Sequence, residues 1–228
     1  MLGDNLKYSC SFWEELEWHP LQDEQSRSFF SDVLSGTSPM VKKFEKGKSV
    51  RQLLTKAEEN MLKISMARME MKDGYNVLDI GCGWGSATFW ILTNYPKSKV
   101  VAISNSNQQR EFIEKKAQEK GFSDRLLVIK TNVKYFTAAS YGEEVQKFLG
   151  KTKFDRLHSC EMFEHMRNWE SLLNLLRRDW VSDKGGMFLH YFVHKSRSYP
   201  YTPDTWMGKY FFTGGIMPGF DLLAGLDQ

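Results

Sequence analysis

The feature that most constrains this chain is a glycine-rich bend at the end of a short apolar run. Asn76–Ile80 predicts a buried strand, and its last residues lead straight into Asp79-Ile80-Gly81-Cys82-Gly83-Trp84-Gly85. Three glycines at alternate positions let a backbone turn sharply and lie against a ligand with no Cβ in the way. Downstream, apolar runs and amphipathic segments alternate. Ala87–Thr93 reads as a helix and Lys99–Ile103 as a second strand. Gln108–Lys120 reads as a charged helix with Phe112, Ile113 and Ala117 inward, stopped by Gly121. Leu126–Lys130 and Phe154–Ser159 read as the third and fourth strands. Trp169–Arg178 reads as a helix, and Asp183-Lys184-Gly185-Gly186 as a turn into a fifth strand, Met187–His194. Such alternation predicts an α/β fold, a doubly wound, mostly parallel sheet with right-handed crossovers.

Upstream of the bend, Thr55 and Glu58 have the spacing of a capping box, and Ala57, Met61, Leu62, Ile64 and Met69 follow at helical intervals. A helix over about 56–70 follows, closed by Lys72-Asp73-Gly74. Residues 1–54 read as a separate N-terminal extension and 55–228 as the α/β domain. The extension has aromatics early (Tyr8, Phe12, Trp13, Trp18), a break at Gly36-Thr37-Ser38-Pro39, and a basic run of Lys42, Lys43, Lys46, Lys48 and Arg51. With Glu45 inside the run and no interleaved aromatics, a solvated surface is the simpler reading than a phosphate-facing patch.

Composition excludes several classes. The net charge of +3 is too near neutrality for a polyanion partner, and a nucleic-acid acceptor is not expected. Hydrophobic residues at 41% are enough for a core. The three cysteines, Cys10, Cys82 and Cys160, are far apart in sequence and show no C-x-x-C spacing, so no metal site is expected. No apolar stretch is long enough to span a membrane, and Met1–Cys10 has no apolar core of a secretory leader. A reduced, cytoplasmic chain is the expectation.

In a doubly wound sheet the ligand binds at the carboxyl ends of the strands, where the strand order switches. The G-x-G-x-G bend is one residue shorter than a dinucleotide fingerprint, which aims a helix N-terminus at a pyrophosphate. It suits a ligand without phosphate whose amino-acid part lies against the turn, and S-adenosylmethionine is such a ligand. Gly81 and Gly83 would line it, and Asp79 would order the loop or hold the ammonium group. After the second strand, Ser104-Asn105-Ser106 and Gln109 offer amides and hydroxyls to a ribose, with a plain helix cap at Ser106 or Asn107 as the alternative. Asn132-Val133 falls where an adenine amino group would be accepted. The fourth strand leads into Glu161-Met162-Phe163-Glu164-His165-Met166, two carboxylates and an imidazole at the sheet's mouth. Buried charge needs a partner, so this cluster is a catalytic candidate.

The bend with Trp84, the Ser104–Gln109 segment and Glu161–Met166 together resemble the cyclopropane fatty acid synthase superfamily of methyltransferases, in particular its coclaurine N-methyltransferase-like branch. Leu6-Lys7-Tyr8-Ser9-Cys10 is similar to that family's opening, and His194-Lys195 to a later family segment. The resemblance implies a class I methyltransferase, Rossmann-like fold with S-adenosyl-L-methionine as cofactor. It also implies cofactor contacts at Tyr8, Ser9, Gly81, Gly83, Asn105, Gln109, Asn132 and Val133, and a catalytic group of Glu161, Glu164 and His165. In that reading His165 is the base or relay, and the two glutamates anchor an ammonium and orient the imidazole. Trp206, Tyr210 and Phe211 are candidate aromatic faces for the cationic amine, with plain packing as the alternative. The implied acceptor is a small amine of alkaloid type. The alternatives are modification of unsaturated lipid chains at a membrane surface, or cofactor binding without turnover. A histidine expected on the fifth strand of the lipid-modifying members is matched by Tyr191, with His190 one place off, which favours the amine. The resemblance further implies an atypical insert from Glu14 to Leu54 and a sheet truncated at its C-terminal edge.

Overall fold

A computed structural model describes residues 5–7, 9–12 and 50–226. The expectations for Tyr8, Trp13, Trp18, the Gly36–Pro39 break, Lys42, Lys43, Lys46, Lys48 and the Arg51 side chain lie outside the described residues. The chain divides into two compact units, Met1–Ile64 and Ser65–Gln228. In the first, the Phe12 amide donates to the Ala57 carbonyl at 3.0 Å, and Asn5 bonds the Thr55 carbonyl at 3.3 Å.

Helix α1 spans Val50–Arg68. It starts about six residues before the expected point, so Thr55 and Glu58 lie within it rather than at its head. Its end is closed by Glu70 at φ 52, with the Met71 amide reaching back to the Met66 carbonyl at 3.0 Å. That closure precedes the Lys72–Gly74 stop read from the sequence.

The second unit is built on a five-stranded parallel sheet. Its elements in chain order are β1 (Asn76–Ile80), α2 (Ser86–Asn94), β2 (Lys99–Ser104), α3 (Asn107–Lys120), β3 (Leu126–Lys130), α4 (Ala138–Leu149), β4 (Phe154–Cys160), α5 (Trp169–Asp179) and β5 (Val181–His190). The strand order is β3-β2-β1-β4-β5, with every pair parallel. A two-stranded antiparallel pair follows, β6 (Tyr199–Pro200) with β7 (Ile216–Met217), together with short helices α6 (Trp206–Tyr210) and α7 (Leu222–Leu226).

The side-chain alternation of the strands divides the core into two layers. Leu78, Ile80, Val101, Ile103 and Leu157 face Val145 of α4, Leu172 and Leu176 of α5, and Trp180. Val77, Val100 and Ala102 face Phe89, Ile91 and Leu92 of α2 and Ile113 and Ala117 of α3, with Met66 and Met69. Helices on both faces make the sheet doubly wound, as expected. Leu157, 1% exposed at the sheet centre, is a sensitive reporter. Leu157→Ala is expected to lower unfolding stability by about 2–5 kcal/mol, measured by urea titration.

Two segments differ from the sequence reading. Helix α4 lies where no element is assigned above. Its buried residues are Gly142 and Val145, with Tyr141, Phe148 and Leu149 half-buried against the core at helical spacing. The fifth strand begins at Val181 and ends at His190, so Asp183–Gly186 is inside it. The pairing jumps from Phe154↔Val181 to Arg156↔Gly186, and the glycines accommodate a bulge rather than a turn.

Candidate active site

The strand order switches between β1 and β4, so the carboxyl ends of these two neighbours open the crevice. The bend after β1 and the Glu161–His165 segment after β4 are therefore placed side by side. They touch at Gly81. A Cβ there would come within 2.5 Å of Met162 Cγ, and the backbone has φ 73, so only glycine lets Met162 pass. The Gly81 and Cys82 amides both donate to the Ile103 carbonyl at 3.0 Å, which ties the bend to the end of β2.

Gly83 differs from its neighbours. It has φ 55, and a Cβ built on it meets nothing within 4 Å. At Gly85 a Cβ would strike Phe89 at 2.9 Å, so that glycine serves the packing of α2. The open face of the bend is thus at Gly83, a cradle that a side chain would fill. Cys82 is buried, and burial followed by the nearby Asp79 charge pushes its thiol well above the usual range.

Asp79 is 2% exposed and spends both oxygens internally. Thr88 Oγ donates to Oδ2 at 2.6 Å, and Oδ1 lies 2.9 Å from Nδ1 of His158, its register partner on β4. The His158 ring stacks on Phe188 of β5 at 5.8 Å. These are contacts of a residue that orders the bend, with no oxygen turned toward an ammonium group. Sequence reasoning missed His158, because only the β1–β4 register brings it to Asp79.

At the end of β2, Ser104 Oγ donates to Gln109 Oε1 at 2.6 Å. Ser106 caps α3 through the Gln109 amide, so the plain capping role is present there. Asn105 is exposed at the strand end. After β3, Asn132 is exposed and its Oδ1 accepts from the Lys134 amide at 3.1 Å, while Val133 is buried in the core. Ser9 Oγ accepts from Lys7 Nζ at 2.6 Å within the first unit.

The strongest electrostatic feature is Glu164. Its side chain is fully buried on a 3-10 turn, Phe163–His165. Oε1 accepts from the Phe192 amide at 3.0 Å, and Oε2 has no hydrogen-bond partner among the described residues. Burial is the main cause that raises its pKa to about 7, with two backbone hydrogen bonds opposing and the Glu161 charge adding a little. His165 sits next in the turn with its ring 4.8 Å from Phe212 and 6.0 Å from Phe211. Loss of hydration there lowers its pKa below the usual histidine value. Phe212 in turn stacks on Tyr201 at 4.6 Å. Trp206 and Tyr210 are 67% and 65% exposed, and the aromatic rings beside His165 are those of Phe211 and Phe212.

Glu161 has φ 51, a left-handed backbone uncommon for a residue with a side chain. Its amide donates to the His190 carbonyl at 2.7 Å, and its carboxylate lies 3.9 Å from His190 Nδ1. Tyr191, one place along, packs edge-on against Trp169 at 4.8 Å. The two neighbours thus face opposite sides, as strand alternation requires.

The sequence profile of the family described as mycolic acid cyclopropane synthetase matches residues 1–225. The chain belongs to this family. Within it, the chain is 34% identical over 167 residues to (S)-coclaurine N-methyltransferase of Thalictrum flavum subsp. glaucum, a match covering 72% of this chain and 42% of that protein. It is 28% identical over 173 residues to the cyclopropane-fatty-acyl-phospholipid synthase of Escherichia coli K12, covering 75% of this chain and 40% of the relative. Among solved structures, coclaurine N-methyltransferase bound to N-methylheliamine and SAH superposes with TM-score 0.72 at 27% identity, over 100% of this chain and 55% of that one. The mycobacterial cyclopropane synthase MmaA2, at 17% identity and TM-score 0.65, shares the fold, over 99% of this chain and 66% of that one. The fold is the class I methyltransferase, Rossmann-like one that the resemblance implied. The chain spans less than half the length of the two sequence relatives and 55–66% of the two solved chains. Among the described residues, no helix is long and apolar enough to cross a membrane.

Proposed function

We propose that this chain is an S-adenosylmethionine-dependent methyltransferase that methylates the nitrogen of a small amine. The observation that carries the reading is Glu164, a fully buried carboxylate with one oxygen unpartnered among the described residues and a pKa raised to about 7. It stands on the segment that Met162 packs against the glycine bend. The open cradle at Gly83 fits the amino-acid part of the cofactor, with Gly81 lining the turn and Asp79 holding its shape. Asn105 and Gln109 would then hold the ribose and Asn132 and Val133 the adenine; Tyr8 and Ser9, in the N-terminal extension (residues 1–54) ahead of the α/β domain (residues 55–228), are the remaining contacts that the family resemblance implies. When bound, the cofactor supplies an electrophilic methyl on a sulfonium and leaves as a neutral thioether.

What the protein must add is alignment and an unprotonated nitrogen. A free amine at neutral pH is mostly ammonium. Glu161 attracts the cation, and the unpartnered Glu164 oxygen accepts its proton, a transfer suited to a carboxyl that titrates near pH 7. His165, next in the turn and with its pKa lowered by loss of hydration, carries the proton outward. Phe211 and Phe212 offer π faces to the cation. The acceptor is of the alkaloid-like amine class; the 34% identity to a coclaurine N-methyltransferase supports that choice over lipid.

Methyl-labelled cofactor incubated with an amine panel and with detergent-dispersed unsaturated phospholipid tests this reading. Label is expected in an amine; label in lipid alone overturns it. His165→Ala is expected to leave cofactor affinity unchanged and lower turnover about 100-fold or more. Calorimetry and initial rates separate the two quantities, and an unchanged rate across pH removes His165 from the proton path.

A further inference from the structure

Paired residues of adjacent strands line one face of the sheet in rows, two residues apart along the chain. Asp79 of β1, His158 of β4 and Phe188 of β5 make one such row. The next pair toward the carboxyl ends of the strands is Cys160 with His190. Cys160 Sγ lies 3.1 Å from His190 Nδ1, so a thiol and an imidazole are in contact at the mouth of the sheet. Both residues are half-buried, and neither is sealed in the core. The Glu161 carboxylate, 3.9 Å from His190 Nδ1, offers a counter-charge to the imidazolium that proton uptake would create. Cys82 is the opposite case. It is buried, and burial followed by the Asp79 charge holds its thiol well above the usual range. A thiol of that kind is inert, whereas one with a base beside it and a path to solvent is a nucleophile.

We propose that Cys160 is an activated thiol with His190 as its base, and that it is a site of covalent modification by α,β-unsaturated carbonyl compounds. His190 Nδ1 takes the Cys160 proton, and the sulfur attacks the β-carbon of the electrophile. The C=C π electrons pass to the carbonyl as an enolate, and the imidazolium returns the proton to the α-carbon. An S–H bond and a π bond are broken, S–C and C–H bonds are made, and no further reactant enters. This class of electrophile fits both members of the pair. A thiolate is a soft nucleophile that favours the β-carbon, and the enolate it creates needs the proton that His190 has just received. The modification asks nothing of the methyl donor, so it is separate from the reaction proposed above.

The test is alkylation of the full chain with N-ethylmaleimide at pH 6.5, with glutathione as a competing thiol and neither cofactor nor acceptor present. Peptide mass spectrometry follows each cysteine separately. At that pH an ordinary thiol is only about 1% thiolate, which sets the glutathione rate. Cys160 is expected to react about tenfold faster than glutathione or more. His190→Asn, which keeps the thiol and removes the base, is expected to slow Cys160 at least tenfold. Cys82 is expected to stay unlabelled in every folded sample, so its labelling marks unfolding. If His190→Asn labels Cys82, His190→Gln takes its place in the comparison. A parent Cys160 that reacts no faster than glutathione overturns the proposal, as does an unchanged Cys160 rate in a folded His190 variant.

Discussion

Replacing Glu164 with Gln is expected to lower methyl transfer by about 10²–10⁴-fold while making the folded chain more stable at pH 8. The two effects have one cause. Glu164 is buried with one oxygen unpartnered, and its pKa is raised from 4.5 to about 7. The folded state therefore holds a proton on Glu164 that the unfolded state has released between those two values. Stability from this group is fully present below about pH 4.5 and is lost as pH rises through about 7. Above that, the buried charge costs on the order of 3 kcal/mol, a shift of a unit being about 1.4 kcal/mol. Gln avoids the charge at every pH. Denaturant melts should give closely similar stabilities for the two proteins near pH 4.5, with the gap opening toward pH 8 in favour of the variant. Turnover in the parent chain should rise with pH through about 7, and that limb should vanish in Glu164→Gln. A variant that is less stable than the parent at pH 8 would remove the account of a strained, desolvated carboxylate.

Gly83→Val is expected to weaken S-adenosylmethionine binding by at least 100-fold, about 2.7 kcal/mol. Two terms act. Left-handed backbone at φ 55 disfavours a β-branched residue by roughly 1–2 kcal/mol, and the new side chain occupies the open face of the bend. Gly150 supplies the control. It has φ 79 and likewise meets nothing within 4 Å, but it caps α4, which leads to the amino end of β4, opposite the site. Gly150→Val should lose comparable stability and keep cofactor affinity. Equal losses of affinity in the two variants would mean that Gly83 acts through stability alone.

The parts of this molecule that were legible in the sequence are those whose physics is local. An apolar run before a glycine bend identifies β1, and Gly121, in left-handed conformation at φ 70, closes α3 where it was expected. The Glu161–His165 cluster was visible because two carboxylates and an imidazole in five residues at a strand end are hard to reconcile with packing. What was hidden depends on register and on broken patterns. Helix α4 carries a glycine among its inward residues, which lowers helix propensity although Tyr141, Val145, Phe148 and Leu149 keep the helical spacing. The Asp183–Gly186 stretch has the composition of a turn, yet β4 pairs on both sides of it. His158 and His190 acquire meaning only opposite Asp79 and Cys160, and no spacing rule relates residues so far apart in the chain. Of the rings beside His165, Phe211 was among the aromatic faces read from the sequence and Phe212 was not. Phe211 and Phe212 follow a helix of five residues, too short for a period to show which side faces the site.

Calorimetric titration with S-adenosylhomocysteine, with NADH run in parallel, addresses the central claim most directly. The account predicts saturable one-to-one binding of the thioether nucleoside that competes with S-adenosylmethionine, and no heat from NADH. Silence with the former and saturation with the latter would contradict it.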